Sequence, residues 1–270
     1  MSVSVSVATI DRKTVTALFS SFGSALDAHH DARDRVIKAS RDITAASKKM
    51  SELMLRIFAL QRVKYADAEI QRDDANKAGI KLESKIVGDI CGLEEKIKDA
   101  FCAVKDDLQG AGAWRYQRQI SGAIQEYIEA LLFREYLTER WILSHEEVQK
   151  LIGHEYLVTY SDYILGLLDT TGELMRFAIT NLYDVTASGA VQVSAIAKQI
   201  CQLLRTLRIG FSGLRVNSSS HSSSTEFVKK LNTLYNSVDK VEKAVYSLIV
   251  RGSELPEGWI PGDDDDNARI

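Results

Sequence analysis

Apolar residues recur at three- and four-residue steps along almost the whole chain of 270 residues. This spacing collects the apolar side chains into one stripe along an α-helix. Both prolines, Pro256 and Pro261, lie near the C-terminus, so no proline interrupts a helix upstream. The alternation typical of strands is confined to the short VSVSV run at the N-terminus. The pattern therefore predicts an all-α fold. Its first stretch carries Val15, Leu18, Phe19, Phe22 and Leu26.

The periodicity divides into seven predicted helices that form a bundle, with long helices packed antiparallel. Gly110 and Gly112 interrupt the pattern. Ser144-x-x-Glu147 is a capping box that begins a short helix, and Thr159 or Ser161 begins the next. The polar stretch 217–224 (NSSSHSSS) predicts a loop. The seven helices are expected at 12–60, 66–108, 114–139, 144–153, 161–183, 190–208 and 225–251.

No internal repeat and no linker divides the chain. Hydrophobic residues make up 45% and charged residues 26%, proportions typical of a soluble globular protein. We expect one helical domain over residues 12–255, a disordered N-terminus over 1–11 and a flexible acidic tail over 256–270. The tail contains four consecutive aspartates, residues 263–266.

The charge and the cysteines restrict the class of protein. The net charge of −3 means that any binding of nucleic acid depends on a local basic patch. Cys91, Cys102 and Cys201 form no C-x-x-C pair, and such a sparse, odd set suits a reducing compartment. The N-terminus lacks the pattern of a signal peptide, and no apolar run reaches 18 residues. We expect no membrane span and a location in the cytosol or nucleus.

Two pairs of acidic residues stand at helical spacing within apolar segments. Glu126 and Glu129 are three residues apart, and Asp169 and Glu173 are four apart. Each pair therefore lies on one face of its helix. An unpaired carboxylate in apolar surroundings is costly. If the four meet inside the bundle, they need a cation, a proton or a basic partner. A site for a hard metal ion, and hydrolytic chemistry, is one hypothesis.

The alternative is that these acids are ordinary ion pairs on helix surfaces. Arg134 lies within helical reach of Glu129, and Arg176 within reach of Glu173. Spacing alone favours this alternative, because structural ion networks are common. No histidine follows either pair at the i+3 position, so the Glu-x-x-His signature of di-iron bundles is absent.

An aromatic and basic cluster, Trp114, Arg115, Tyr116 and Arg118, begins the third predicted helix. Aromatic rings stack on bases and arginines neutralise phosphates, which suits single-stranded RNA. The alternative is a helix start whose aromatic rings pack in the core.

Three pairs of adjacent basic residues have structural explanations that require neither a metal site nor an RNA site. His29 and His30 point about 100° apart on a helix and do not easily share one ion, which favours a structural or interface role. Lys48–Lys49 and Lys229–Lys230 are most simply solvated, although either pair would also suit the lining of an RNA cavity.

Four stretches carry a resemblance to a known family. They are SALDAHHDARDRVIKASRDIT (24–44), AIQEYIEALLF (123–133), DYILGLLDTTGELMR (162–176) and KKLNTLYNSVDKVEKAVYSLIVRGSELP (229–256). Together they resemble the Trax (translin-associated factor X) family of the translin superfamily. The resemblance spans about residues 19–256, and its most specific parts are the two acidic motifs and the VRGSE ending. Translin itself lacks this acidic set, so the motifs favour Trax over translin.

The resemblance implies a fold, an activity and a partner. The superfamily fold is a seven-helix bundle, and Trax joins translin in a closed hetero-octamer. That complex is a Mg²⁺-dependent endoribonuclease, with Mn²⁺ as a substitute metal, that cleaves single-stranded RNA. Its substrates are passenger-strand fragments in RNA silencing and fragments of precursor tRNA; single-stranded DNA is a further expected ligand. The resemblance assigns catalysis and metal binding to Glu126, Glu129, Asp169 and Glu173, the last as ligand or as base, and RNA contact to Arg115, Tyr116 and Arg118.

The chain departs from the family pattern in places. The basic, nucleus-directing N-terminal segment of animal Trax is missing, so the resemblance does not extend to nuclear import. The stretch WRYQRQ (114–119) stands where animal Trax carries histidines, and the sixth predicted helix matches the family poorly. One alternative function is a non-catalytic nucleic-acid-binding or scaffolding partner that stabilises translin; another is a plain helical adaptor.

Overall fold

A computed structural model describes residues 12–67, 73–185, 191–214 and 221–251. Within these ranges the chain forms eight α-helices and one small sheet, which confirms the all-α fold class. The helices are α1 (Arg12–Asp67), α2 (Asp73–Ala103), α3 (Ala111–Arg115), α4 (Gln117–Glu139), α5 (His145–Ile152), α6 (Tyr160–Thr180), α7 (Ala195–Ser212) and α8 (His221–Arg251). The predicted disorder of residues 1–11 and flexibility of residues 256–270 lie outside the described residues.

Seven of the helices correspond to the predicted seven, and the eighth, α3, is a single five-residue turn before α4. Gly110, which precedes α3, has a φ of 56°, a conformation that glycine adopts without strain. The predicted loop over 217–224 was wrong at residues 221–224, which form the first turn of α8, and residues 217–220 lie outside the described residues. Serine and histidine are only weakly unfavourable in helices, so the packing of the rest of α8 outweighs their local preference. The predicted helix over 190–208 was wrong at residues 191–193, which form a strand.

Capping side chains begin the helices that lead into the bundle. Ser144 and Glu147 form the predicted capping box of α5. The start of α6 is Thr159 rather than Ser161, because the Thr159 hydroxyl accepts from the backbone N–H of Asp162 while the Asp162 carboxylate accepts in return from the Thr159 backbone N–H. These reciprocal bonds satisfy backbone donors that a helix N-terminus leaves open.

Two short strands that the sequence pattern did not predict lie between α6 and α7. Strand β1 (Tyr183–Val185) pairs antiparallel with β2 (Val191–Val193), with Tyr183 opposite Val193. Three residues are too few to show an alternating pattern, which explains why the prediction missed them. Ser194 follows β2 and caps α7 by accepting from the backbone N–H of Ala197.

Contacts between side chains fix the directions of the helices. Helix α1 packs against α2 and α4, α4 against α6, α6 against α8, and α7 against α8. Only residues 68–72 separate α1 from α2, so these two long helices reverse direction and pack antiparallel, as predicted. Helices α7 and α8 are also antiparallel, because Arg205 pairs with Glu242 whereas Arg208 pairs with Asp239.

Helices α4 and α6 run in the same direction. Asp162, in the first turn of α6, accepts from Gln117 at the start of α4, and the Phe177 ring near the end of α6 meets the Phe133 ring with centroids 6.1 Å apart. Gly166 lies between these two contacts and approaches the α4 backbone closely. The two helices therefore share one register along their length.

One contiguous apolar core joins the helices. Its fully buried side chains come mainly from α1, α4, α6, α7 and α8, and burial of this size supplies most of the stability of such a fold. Among the described residues, no helix is both long and apolar enough to cross a membrane. The largest fully buried side chains include Phe133, Ile43, Met50, Ile97, Leu131, Leu174 and Leu204.

We predict that Gly166→Ala destabilises the protein by about 1–3 kcal/mol. A Cβ at this position would stand 2.8 Å from the Ile128 side chain and 2.9 Å from the backbone oxygen of Gln125, so α6 must move away from α4. Denaturant unfolding measures the effect. The matched control is Gly122→Ala on α4, where a Cβ meets nothing within 4 Å and the free energy of unfolding should rise by about 0.5–1 kcal/mol. Equal effects of the two substitutions would contradict the close approach.

Candidate active site

The shared register of α4 and α6 brings the two acidic pairs together. Glu126 and Glu129 lie on α4 next to Gln125 and Ile128, the two residues that Gly166 approaches. Asp169 and Glu173 follow Gly166 on α6 within two helical turns. All four carboxylates line two adjoining cavities, one of about 460 Å³ and one of about 300 Å³. Glu126, Glu129 and Glu173 line both. The four residues that spacing singled out thus surround one region of the molecule.

The larger cavity opens between α4, α6 and α1, and the smaller one between α4, α6 and α8. Both are lined mostly by polar side chains. From α1 come Ser47, Lys48, Ser51, Glu52 and Leu55; from α8 come Lys230 and Thr233; and Arg176 of α6 lines both cavities.

Basic side chains compensate three of the four acids. Lys48 Nζ lies 3.2 Å from Glu126 Oε1, and Arg176 lies 2.8 Å from Glu173 Oε1. Glu129 forms no ion pair within the described residues. The predicted contact of Glu173 with Arg176 is present, whereas Arg134 pairs with Glu94 of α2 and not with Glu129.

Lys230 compensates the third of these acids, Asp169. Its ammonium donates to Asp169 Oδ2 at 2.6 Å and to Gln125 Oε1 at 3.2 Å, and Glu226 lies 3.6 Å away. Burial nevertheless raises the pKa of Asp169 above its ordinary value, because the loss of solvent outweighs the opposing effect of Lys230. One ammonium is thus shared between several acceptors.

Glu129 carries the strongest electrostatic strain in the site. Burial, and after it the negative charges of Asp169, Glu126 and Glu173, raises the pKa of Glu129 from 4.5 to about 8. Mutual repulsion of this kind requires the four carboxylates to be near one another. At neutral pH the site holds either a proton or an uncompensated negative charge, and a bound cation would relieve both.

The chemistry of the donors fits a hard divalent cation, because Mg²⁺ takes carboxylate oxygens and keeps several waters. The side chains are not already arranged around one ion, however. Among the residues that the structure describes, no three His, Cys, Asp or Glu side chains form a preformed metal site. Binding of a cation would require the ion pairs of Lys48 and Lys230 with Glu126 and Asp169 to open.

The aromatic and basic cluster divides between the two alternatives that the sequence left open. Tyr116 is only 6% exposed and its hydroxyl lies 3.1 Å from His29 Nδ1, so its ring packs in the core and is not available to stack on a base. Trp114 is 69% exposed, and Arg115 and Arg118 are exposed as well. Arg115 also contacts the His29 ring, which gives that histidine a structural role.

The ion pairs of Lys48 and Lys230 with the acids were not predicted. For Lys230 a signal existed: it stands three residues after Phe227 and four before Leu234, both buried, so it occupies the inward stripe of α8. Lys48 lies outside the buried positions of α1, and nothing in its spacing indicates the pairing with Glu126.

Comparisons with known proteins agree on the family. The model of the translin family matches residues 31–252. The chain is 33% identical over 267 residues to translin-associated protein X of Mus musculus, covering 90% of this chain and 81% of that protein. It is 30% identical over 236 residues to the translin-associated protein X homolog of Schizosaccharomyces pombe, covering 87% and 89%.

More distant similarities extend to translin itself and to a solved structure. Translin of Gallus gallus is 21% identical over 245 residues, covering 88% of this chain and 94% of that protein. The crystal structure of apo-NeC3PO matches with a TM-score of 0.45 and 18% identity, covering 82% of this chain and 95% of that one.

We predict that Glu129→Gln stabilises the protein by about 1–2 kcal/mol at pH 8 and has little effect at pH 4. Solvent reaches part of this side chain and screens the interaction, which limits the size of the effect. The pKa of Glu129 is about 8 in the folded state against 4.5 ordinarily, so this group favours the unfolded state increasingly as the pH rises from about 4.5 to about 8. Denaturant unfolding across this range measures the difference. Glu139→Gln, at the exposed end of α4, is the control and should show no such trend; a Glu129→Gln effect that is independent of pH would contradict the assignment.

Proposed function

The chain belongs to the translin family, and from this premise we propose that it is the Trax-type catalytic subunit of an endoribonuclease assembled with translin. The proposed reaction is metal-assisted hydrolysis of phosphodiester bonds in single-stranded RNA. The observation that carries the proposal is the site itself: four carboxylates from two parallel helices line adjoining cavities, and Glu129 experiences the charge of the other three.

Each acid has a proposed role. Glu126, Glu129 and Asp169 would hold Mg²⁺, or Mn²⁺ in its place, directly or through water. Glu173 is either a fourth ligand or the base that orients the attacking water. When bound, the ion would activate a water molecule and neutralise charge on the phosphodiester. The raised pKa of Glu129 supports this assignment, because a cation would compensate the charge that the protein leaves uncompensated there.

Basic side chains at the cavity have a second proposed role. Lys48, Lys230 and Arg176 hold three of the acids in the absence of a ligand. When a cation takes over that compensation, their ammonium and guanidinium groups become available to bind phosphate oxygens of RNA. Exposed Arg115 and Arg118, with Trp114 as the stacking ring, lie two to three helical turns before Glu126. A single RNA strand that binds there would therefore reach the acids.

The partner is the second part of the proposal. Similarity to both translin-associated protein X and translin supports assembly with translin, which we propose is a hetero-octamer that encloses the acidic cavities. The proposed substrates are passenger-strand fragments and fragments of precursor tRNA, with single-stranded DNA as a further ligand. The proposed location is cytoplasmic, with a nuclear fraction.

A second candidate function is a non-catalytic partner that stabilises translin. The observation that favours it is the compensation of Glu126, Asp169 and Glu173 by basic side chains, which satisfies those acids without a metal. The two functions differ over the metal. Cleavage that a chelator abolishes and Mg²⁺ restores supports the enzyme, whereas RNA binding that is indifferent to the metal, without cleavage, supports the scaffold.

We predict that Asp169→Asn lowers the rate of RNA cleavage by the translin-assembled complex at least about 100-fold. The amide keeps the shape of the side chain but removes a negative ligand and the partner of Lys230. Cleavage of a fluorescent single-stranded RNA measures the rate, and size-exclusion chromatography verifies assembly. Asp184→Asn in strand β1 is the matched control and should leave the rate unchanged. An Asp169→Asn complex that is fully assembled and fully active would contradict the proposed catalytic role of Asp169.

We predict that Arg115→Ala with Arg118→Ala weakens binding of single-stranded RNA about 10-fold, because two cations near phosphates are lost, and lowers the dependence of log K on log salt by about 1.4. Fluorescence anisotropy at several salt concentrations measures both quantities. Tyr116→Phe, which removes only the hydroxyl of a buried ring, should leave the affinity unchanged. An unaltered salt dependence in the double variant would contradict the RNA-contact role.

A further inference from the structure

The first twenty residues of α1 project from the bundle. Within Arg12–Asp31 every residue except Val15 is exposed, and burial begins at Ala32. Twenty helical residues span about 30 Å. An isolated helix of this length is marginal in water. Tyr116 and Arg115 contact the segment at His29, whereas its large apolar side chains stay exposed.

The exposed segment carries an apolar stripe. Phe19 is 67% exposed, Leu26 58%, Phe22 52% and Leu18 51%. The rings of Phe19 and Phe22 pack edge to face, with centroids 6.2 Å apart, against each other rather than against the core. A patch of this kind on a surface helix typically marks an interaction site.

Leu18 and Phe22 of this stripe continue a row of side chains that is buried further along the same helix. Counted in sevens, the inward positions of α1 hold Ala32, Val36, Ala39, Ile43, Ala46, Met50 and Leu53, and all of them are buried. The same count extended toward the N-terminus falls on His29, Ala25, Phe22, Leu18 and Val15. Apolar residues at these spacings are typical of helices that pack side by side with knobs in holes. The exposed half is therefore built to pack against another helix in the way that the buried half already does.

The charges on this segment indicate the orientation of the partner. Arg12 and Lys13 stand at its N-terminal end, and Asp27 and Asp31 at the other. A parallel copy would bring like charges together, whereas an antiparallel copy brings the basic end of one helix to the acidic end of the other.

The apolar residues fit the same antiparallel register. In an antiparallel register where the numbers of facing residues add up to 40, Val15 of one helix faces Ala25 of the other. Leu18 likewise faces Phe22, so every layer of this pairing is apolar. In that register Lys13 of one helix stands opposite Asp27 of the other.

We propose that residues 12–31 of α1 are a self-association surface, on which a second copy of this chain binds with its own α1 segment antiparallel. This inference is independent of the nuclease activity proposed above. Four apolar layers bury less surface than a typical stable interface, so we expect a dissociation constant in the micromolar range for the dimer. The pairing becomes stronger when a larger assembly holds two copies close together.

Sedimentation equilibrium of the full chain tests the surface. We expect a monomer–dimer equilibrium whose Kd rises at least tenfold in Leu18→Lys with Phe22→Lys. Ile209→Lys, at a 73% exposed position on α7, is the control and should not change the Kd. A chain that stays monomeric at all concentrations, or a double variant that dimerises as well as the control, would overturn the proposal.

Charge reversal and disulfide trapping test the orientation without disturbing the apolar residues. Lys13→Glu should weaken the dimer several-fold, and adding Asp27→Lys should restore it. For disulfide trapping, two differently tagged chains are co-expressed with translin, both in a Cys91→Ser, Cys102→Ser background. A Leu18→Cys chain paired with a Phe22→Cys chain should form at least fivefold more disulfide than two Leu18→Cys chains. A disulfide that forms preferentially between two Leu18→Cys chains would overturn the antiparallel register. If Leu18→Lys with Phe22→Lys abolishes binding of translin but leaves self-association intact, the surface binds translin and the proposal is overturned.

Discussion

The close approach of α6 to α4 at Gly166 is the contact on which the rest of the site depends. Only a residue without a side chain allows the α6 backbone to lie against Ile128 and the backbone of Gln125. Because Asp162 is anchored to Gln117 on the near side and Phe177 meets Phe133 on the far side, the two helices remain in step. Two acidic pairs more than thirty residues apart in the sequence therefore surround one pair of cavities.

This arrangement has an electrostatic cost that the protein covers only in part. Lys48, Lys230 and Arg176 compensate three carboxylates, and Glu129 is left between them with a strongly raised pKa. Stability would be higher without such a cluster, because a buried charge that lacks a partner opposes folding. Strain of this kind concentrates at functional sites, and it is relieved by the ligand that the site is built to accept. In the proposed function that ligand is a divalent cation together with the phosphate groups of RNA.

The predictable and unpredictable parts of the structure differ in physical origin. Helix positions, the Ser144 capping box and the two acidic motifs follow from local spacing, which is why the pattern of residues predicts them. The β1–β2 hairpin is too short for a periodic signal, and the helical start of α8 at His221 depends on tertiary packing. The burial of Tyr116 and the pairing of Lys48 with Glu126 depend on how α1 lies against α4. Spacing within one helix carries no information on that geometry.

We propose that Glu126, Glu129, Asp169 and Glu173 together form one site for a divalent cation. Anomalous diffraction from crystals of the translin-assembled protein containing Mn²⁺ tests this site. We expect an anomalous peak between α4 and α6, with carboxylate oxygens of Glu126, Glu129 and Asp169 at about 2.1–2.2 Å or bridged by water. We also expect Lys48 and Lys230 to be displaced from their present partners. Crystals in saturating Mn²⁺ that show no peak there, and in which those ion pairs are still closed, would contradict the proposal.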